Sequence, residues 1–305
     1  MSEKKRVEGS RFLRESKPAL KHLLGILLRK YEYASILAVD SEAKIYSVAA
    51  SGINIGDFGM LCNRGFVIKV YNEGEYAEYS FNKLERDVTE QAQQIIEQIE
   101  ALKKAVPDKL ERIKLGMLED KPLKFSKSTE YEINPFETGA QNIIDKLTAL
   151  RKKGLEADDR MLDCTARMSC QKYSKLFLSE NKDMEQNVLW TDCAMSFLAR
   201  RGNEVKSYFS SASNLGGSEI LESLEADIPH SVEMTVALLD SEPMVPGEYD
   251  CICTPEVTGM IVHEAFGHGV EMDMFAKDRA LAKNYVGGYV ASPLVNMHDG
   301  AAVGD

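Results

Sequence analysis

One stretch constrains this chain more than any other: Val257-Thr-Gly-Met-Ile-Val-His-Glu-Ala-Phe-Gly-His-Gly-Val-Glu-Met-Asp273. It holds two of the five histidines, His263 and His268, with Glu264 directly after the first. Three residues separate Glu264 from His268, so the pattern is H-E-x-x-x-H. Each residue of an α-helix turns the chain by about 100°, so histidines five apart diverge by roughly 140°. A regular helix cannot aim both imidazoles at one point. If the pair acts together, the helix must bulge or break between them. A π-type turn absorbs one extra residue, and Gly267 and Gly269 tolerate a distorted backbone.

The flanks predict where that helix lies. Tyr249-Asp-Cys-Ile-Cys253 alternates apolar and polar residues and reads as a short strand. Thr254 suits an N-cap, Pro255 the first helical position, and Glu256 the positive helix end. Val257, Met260, Ile261 and Ala265 then fall at helical spacing and are expected to face a core. The H-E-x-x-H pattern of zinc peptidases puts two imidazoles one turn apart, with Glu as general base. Here the spacing is one residue longer. Two histidines and a glutamate within six residues also occur in ordinary helices, where they face solvent.

The segment resembles the zinc site of the TldD/PmbA metallopeptidase family, also called modulators of DNA gyrase. The residues that carry the likeness are Pro246-Gly247, Thr254-Pro255, Gly259, His263-Glu264-x-x-x-His268-Gly269, Glu271 and Asp273. A second match follows in order, Tyr289-Val-Ala-Ser-Pro-Leu-Val295 and then Asp299-Gly300. The likeness is strong from about Pro246 onward and diffuse before it.

The resemblance implies a zinc-dependent metallopeptidase acting on peptides or unfolded protein segments. It implies Zn2+ held by His263 and His268, with Glu264 as the general base for a metal-activated water. Glu271 and Asp273 are placed to bind the ion or to accept a histidine N–H, and Glu271 is assigned the second task. His298 is a further residue able to approach the ion. The family's third ligand is a cysteine thiolate later in the chain, and no cysteine follows Cys253 here. That departure implies a fragment or a degenerate copy, with weak zinc binding and little peptidase activity of the 305 residues by themselves. The family also implies a homo- or heterodimer with a family member. Because it includes members without the zinc motif, an inactive partner subunit is the alternative reading.

Composition narrows the field. The net charge is −11, which opposes binding to a nucleic-acid backbone, since that requires a positive face. No Lys/Arg run exceeds three residues. Leu23-Leu-Gly-Ile-Leu-Leu28 is too short to span a membrane, and the N-terminus lacks a signal-peptide pattern. The six cysteines form no C-x-x-C and read mostly as buried small apolar residues. Together these predict a cytoplasmic protein that binds neither membrane nor nucleic acid.

The rest of the chain predicts an α+β fold, an antiparallel sheet with long helices. An N-terminal α+β domain over 1–240 is followed by the start of a metallopeptidase domain over 241–305. Leu20, Leu23, Leu24, Leu27, Leu28 and Tyr31 predict a helix from about Ser16 to Glu32, with Pro18 in its first turn. Residues 34–39 and 43–48 read as a hairpin around Asp40-Ser41-Glu42. Residues 65–71 and 76–81 read as another around Asn72-Glu-Gly-Glu75. Helices are expected over 84–105, with Pro107 as its stop, and over about 134–153, with Gly154 as stop. The polar segment 107–131 reads as loop. Residues 163–170, 173–179 and 188–198 alternate as strands, and Arg201-Gly-Asn203 turns into Val205–Ser210. Helical spacing resumes over 219–241, interrupted at Pro229. His22 and His230 read as solvated.

Overall fold

The structure is a computed structural model that describes residues 4–57, 59, 62–105 and 115–298. The chain divides into two compact units. Met1–Asn72, Tyr76–Pro107 and Met117–Glu242 form the first; Glu73–Glu75, Asp108–Gly116 and Pro243–Asp305 form the second. The elements in order are β1 (Lys5–Arg6), α1 (Arg11–Leu27), β2 (Tyr33–Ala49), β3 (Gly52–Asp57), β4 (Arg64–Asn72), β5 (Glu75–Phe81), α2 (Val88–Ala105), β6 (Leu123–Ser128), β7 (Glu130–Tyr131), α3 (Ala140–Glu156), β8 (Met161–Ser179), β9 (Lys182–Arg201), β10 (Glu204–Leu215), α4 (Leu221–Ala237), α5 (Pro255–Ala265) and α6 (Met272–Ala276). The fold is α+β, with a mainly antiparallel sheet. No helix among the described residues is long and apolar enough to cross a membrane.

The sheet runs β10-β9-β8-β2-β4-β5, with β3 also on β2 and β6 parallel to β9. Side chains alternate across a strand, so residues of one parity share a face. On β2, Ile36, Ala38, Tyr46 and Val48 have one parity; on β8, so do Cys164, Ala166, Met168, Cys170, Leu176 and Leu178. All are buried. α1 and α2 cover the Ile36–Leu178 end, and α3 and α4 cover the Tyr46–Cys164 end. All four helices therefore lie on one face of the sheet. The opposite parity carries half-exposed or exposed residues such as Leu37, Ile45, Arg167 and Lys175.

Several expectations are corrected by packing. α1 begins five residues early because Ser10 caps it, its Oγ accepting from the Leu13 N–H. Pro18 thus lies inside the helix, and so does Pro229 in α4. Each removes one helical bond, but buried neighbours such as Leu20, Leu23, Ile228 and Val232 hold the helices in place. Residues 33–49 form one strand rather than a hairpin. Asp40, Ser41 and Glu42 pair with Ser174, Tyr173 and Lys172 on β8, and the Asp40 carboxylate accepts from Arg64 Nε at 2.8 Å. β8 likewise runs unbroken through Gln171 and Lys172. Within the segment read as loop, Leu123–Ser128 forms β6 and Glu130–Tyr131 forms β7. α2 starts at Val88, with Asp87 Oδ1 accepting from the Thr89 and Glu90 N–H groups. The Pro107 stop lies outside the described residues.

α3 begins after Gly139, because Asn134 Oδ1 accepts from the Phe136 N–H and holds a turn there. Gly154 does not stop it but lies inside α3 against the sheet. A Cβ there would come within 3.0 Å of Cys164 Sγ and 3.0 Å of Phe197 Cε1. Three cysteines, Cys164, Cys170 and Cys193, are buried; the other three are exposed. Burial pushes the Cys164 and Cys170 thiols up to about 12 and the Cys193 thiol up to about 11. They behave as apolar core residues.

A charged cluster ties α1 to β9. Lys17 Nζ lies 2.7 Å from Asp183 and 2.5 Å from Glu185, and Lys21 Nζ lies 2.7 Å from Asp183. Partial burial opposes ionisation of Asp183, but the Lys17 and Lys21 bonds outweigh it and lower its pKa. A lowered folded-state pKa gives stability that is present above the unfolded value, about 3.9, and lost as pH falls through the folded one. Asp183→Asn is therefore expected to destabilise the protein by about 1–3 kcal/mol at neutral pH, and by less in acid. Urea unfolding of both proteins at pH 7 and at progressively lower pH checks this. A pH-independent difference would contradict it.

Candidate metal centre

α5 starts where the sequence places it. Pro255 occupies its first turn, and the Thr258 N–H donates to the Thr254 carbonyl at 2.9 Å. The Thr254 side chain caps no backbone N–H. Glu256 sits in the first turn, where backbone N–H and Thr254 bonds hold its carboxyl below the usual range. Two local expectations fail. Tyr249–Cys253 pairs with no strand among the described residues. The stripe Val257, Met260 and Ile261 is 48%, 62% and 52% exposed rather than packed in a core.

The helix does not run through the motif. The Phe266 N–H closes the last turn onto the Val262 carbonyl at 3.0 Å, and Phe266 then leaves helical geometry at φ −140°. A tighter 3-10 turn, Gly267–Val270, follows. This break resolves the five-residue spacing. His263 stays on α5, while His268 rides the reoriented turn back towards it. The ring centroids lie 4.4 Å apart at an interplanar angle of 63°. A nitrogen of each imidazole and a Glu264 oxygen all lie within 4.8 Å of one another. All three residues are exposed.

The chain departs from helix geometry at Phe266, one residue before Gly267. Gly267 itself is buried, and a Cβ there would come within 3.3 Å of His263 Nδ1. Its smallness leaves room for the ring. That close approach was not legible in the sequence, where Gly267 signals only tolerance of distortion.

The remaining acidic residues separate. Glu271 Oε1 lies 2.7 Å from His268 Nδ1, while Asp273 pairs with Lys277 at 2.9 Å. Nδ1 is thus the protonated nitrogen, which leaves the Nε2 lone pair free. Nε2 points into the cluster, 3.8 Å from Glu264 Oε2. The Glu271 bond and charge raise the His268 pKa, with a lesser contribution from Glu264. A proton therefore competes harder for His268 as pH falls, and a protonated imidazole binds no metal.

The donor set suits zinc. Zn–N bonds are about 2.0–2.1 Å long, so two nitrogens on one ion sit at most ~4 Å apart, comparable to the 4.8 Å within which the ligand atoms of the cluster lie. Among the described residues, His263, Glu264 and His268 form the group of His, Cys, Asp or Glu side chains close enough to hold an ion. His298 is exposed and outside that group. His22 pairs with Thr89 Oγ1 at 3.2 Å, and His230 lies edge-on to Tyr208.

Known proteins are similar to this chain in sequence and in fold. The sequence profile described as the PmbA/TldA metallopeptidase C-terminal domain matches residues 246–304. A protein named Metalloprotease from Methanothermobacter thermautotrophicus is 31% identical over 107 residues, which are 34% of this chain and 24% of that protein. A Metalloprotease from Synechocystis is 24% identical over 312 residues, 94% of this chain and 60% of that one. In three dimensions the chain is similar to a crystal structure of a candidate modulator of DNA gyrase from Bacteroides thetaiotaomicron. The TM-score is 0.61 at 15% identity, over 89% of this chain and 60% of that one. TldE from Thermococcus kodakarensis gives 0.51 at 17% identity, over 73% and 47%. The chain thus spans less than two thirds of the length of each of these relatives. The motif-bearing segment, the alignment running along nearly the whole chain and the fold agree in one respect: residues 246–304 match the PmbA/TldA metallopeptidase C-terminal domain, and the chain as a whole is similar to proteins of the TldD/PmbA kind.

Proposed function

We propose that the chain carries the zinc-binding half of a metallopeptidase site that hydrolyses peptides or unfolded protein segments. The supporting observation is the approach of His263, Glu264 and His268 to within 4.8 Å despite a spacing that a regular helix would splay. His263 and His268 would hold Zn2+. The ion would supply Lewis acidity, making a water deprotonable near pH ~7. The Glu264 carboxylate would accept that proton at Oε2 and return it to the departing amine. Glu271 would hold the Nδ1 proton of His268 and keep its ring turned towards the ion. The net charge of −11 favours peptide over nucleic-acid substrates. A homo- or heterodimer with a family member, and a cytoplasmic location, belong to the same reading.

Zinc titration of the purified protein, with peptide cleavage followed in the same sample, tests the reading. Weak zinc binding through His263 and His268, with little cleavage, is expected of the 305 residues by themselves, and stoichiometric zinc with chelator-sensitive cleavage once a third ligand completes the site. Zinc binding without cleavage in the completed site would favour the inactive-subunit alternative, and zinc binding that does not depend on the two histidines would sink the proposal.

Glu271→Gln offers a finer check. The amide keeps the size but loses the charge that orients and enriches the imidazole. Zinc affinity is expected to fall by about 10–100-fold. Competition against a zinc chelator measures it. An unchanged affinity would remove Glu271 from the site.

A further inference from the structure

We infer that the cavity beside the two histidines is the subsite that takes an apolar or aromatic side chain of the peptide, next to the bond being cleaved. The inference rests on the metallopeptidase reading above.

The cavity has a volume of about 630 Å³, and its walls include Phe266, Val270, Met272, Tyr289, Val290 and Met297. It adjoins the histidine pair through three shared parts. Phe266 is the residue at which α5 breaks between His263 and His268. Glu271 lines the cavity and also accepts the His268 Nδ1 proton. Met297 Cε lies 3.7 Å from where a Gly267 Cβ would stand, on the residue that packs against the His263 ring. A peptide carbonyl near the histidines would therefore bring a neighbouring side chain to the cavity mouth.

The lining decides which side chain. It is largely aliphatic and aromatic, with Ser292 and the Tyr289 hydroxyl as polar additions. Its one carboxylate, Glu271, is engaged with His268, and no cation lines it among the described residues. An acidic side chain would meet no counter-charge there, and a basic one would meet a carboxylate already bonded. Met272 and Tyr289 are 71% and 76% exposed, and Val290 is 50% exposed. An apolar side chain entering the cavity would remove that surface from water. Methylene-scale differences in such pockets are worth about 10–200-fold in discrimination.

The test separates this inference from the reading it rests on. Four labelled pentapeptides, identical except for Leu, Phe, Glu or Lys at one position, are titrated by fluorescence anisotropy against the metal-free full chain. The Leu and Phe peptides are expected to bind at least ~10-fold more tightly than the Glu and Lys peptides. Val290→Trp, which fills the cavity, should erase that preference. Val295→Glu, on the same lining, should turn it towards the Lys peptide, a gain that an unfolded variant cannot show. Equal binding of all four peptides, or a Leu preference unchanged in both variants, would overturn the inference. Cleavage by the zinc-loaded protein, its site completed by a third ligand, is followed in parallel. Its failure beside an intact binding preference counts against the metallopeptidase reading alone, whereas cleavage without that preference counts against the subsite alone.

Discussion

Where a third ligand completes the zinc site, Glu264→Gln is expected to leave zinc affinity nearly unchanged and to cut peptide hydrolysis by about 10²–10⁴-fold. The reasoning is geometric. Glu264 follows His263 on the last turn of α5, and its Oε2 lies 3.8 Å from His268 Nε2. It therefore borders the space where an ion held by the two imidazoles would sit. The amide fills the same volume and cannot accept the water's proton. The histidines and the Glu271 bond to His268 are untouched, so the metal should stay. Zinc content by mass spectrometry and kcat/KM on one peptide decide the matter together. Activity at the parent rate would show that Glu264 is not the base. Loss of zinc along with activity would make it a ligand instead.

Gly217→Ala is expected to destabilise the first unit by about 3 kcal/mol or more. The backbone at Gly217 is extended, at φ −102°, so conformational freedom is not the reason. Space is. A Cβ there would stand 1.9 Å from the Ile133 carbonyl oxygen and 2.7 Å from Glu219 Oε2. Neither neighbour can yield cheaply. The Ile133 carbonyl accepts from the Ser218 N–H at 2.9 Å. The Glu219 carboxylate accepts from the backbone N–H groups of Gly217, Ile133 and Glu132 at 2.8, 3.0 and 3.2 Å. Partial burial works against ionisation of Glu219, yet those backbone bonds lower its pKa. The clasp joins the chain entering α3 to the start of α4, so a methyl group inserted there would prise apart two core helices. Gly25→Ala is the control. Nothing lies within 4 Å of a Cβ at Gly25 in α1, and the change should stabilise by about 0.5–1 kcal/mol. Urea unfolding of the two variants measures both; a loss below ~1 kcal/mol for Gly217→Ala would refute the clasp.

Local patterning reveals what local forces decide. Val88, Ala92, Ile95, Ile96 and Ile99 mark α2 by their spacing, and all but Val88 are fully buried. Asn72-Glu-Gly-Glu75 marks the β4–β5 turn, where Glu73 and Gly74 adopt φ 53° and 90°. The lengths of β2 and β8 were hidden because a strand's length depends on its partner. Asp40-Ser-Glu42 looks like a turn until β8 pairs with it residue for residue. Gly154 looks like a stop and Gly217 carries no signal of its close contact, since a packing contact with Phe197 or Ile133 leaves no mark near them in sequence. The same limit applies around the histidines. His263, Glu264 and His268 sit within six residues, so chain connectivity alone keeps them near one another. Met297 and Val290 reach the neighbouring cavity from more than twenty residues away, and no local pattern announces them. The exposed stripe Val257, Met260 and Ile261 shows the reverse case, helical spacing without a core beneath it.

The central claim is that the break at Phe266 turns two histidines, five residues apart, onto one zinc ion. A crystal structure of the zinc-loaded protein, with data collected on both sides of the zinc absorption edge, tests it most directly. The account predicts one anomalous peak, about 2.0–2.1 Å from a nitrogen of His263 and from His268 Nε2, with Glu271 still bonded to Nδ1. A peak bound by only one of the two histidines, or an α5 that continues as a regular helix through His268 with the imidazoles splayed, would contradict it.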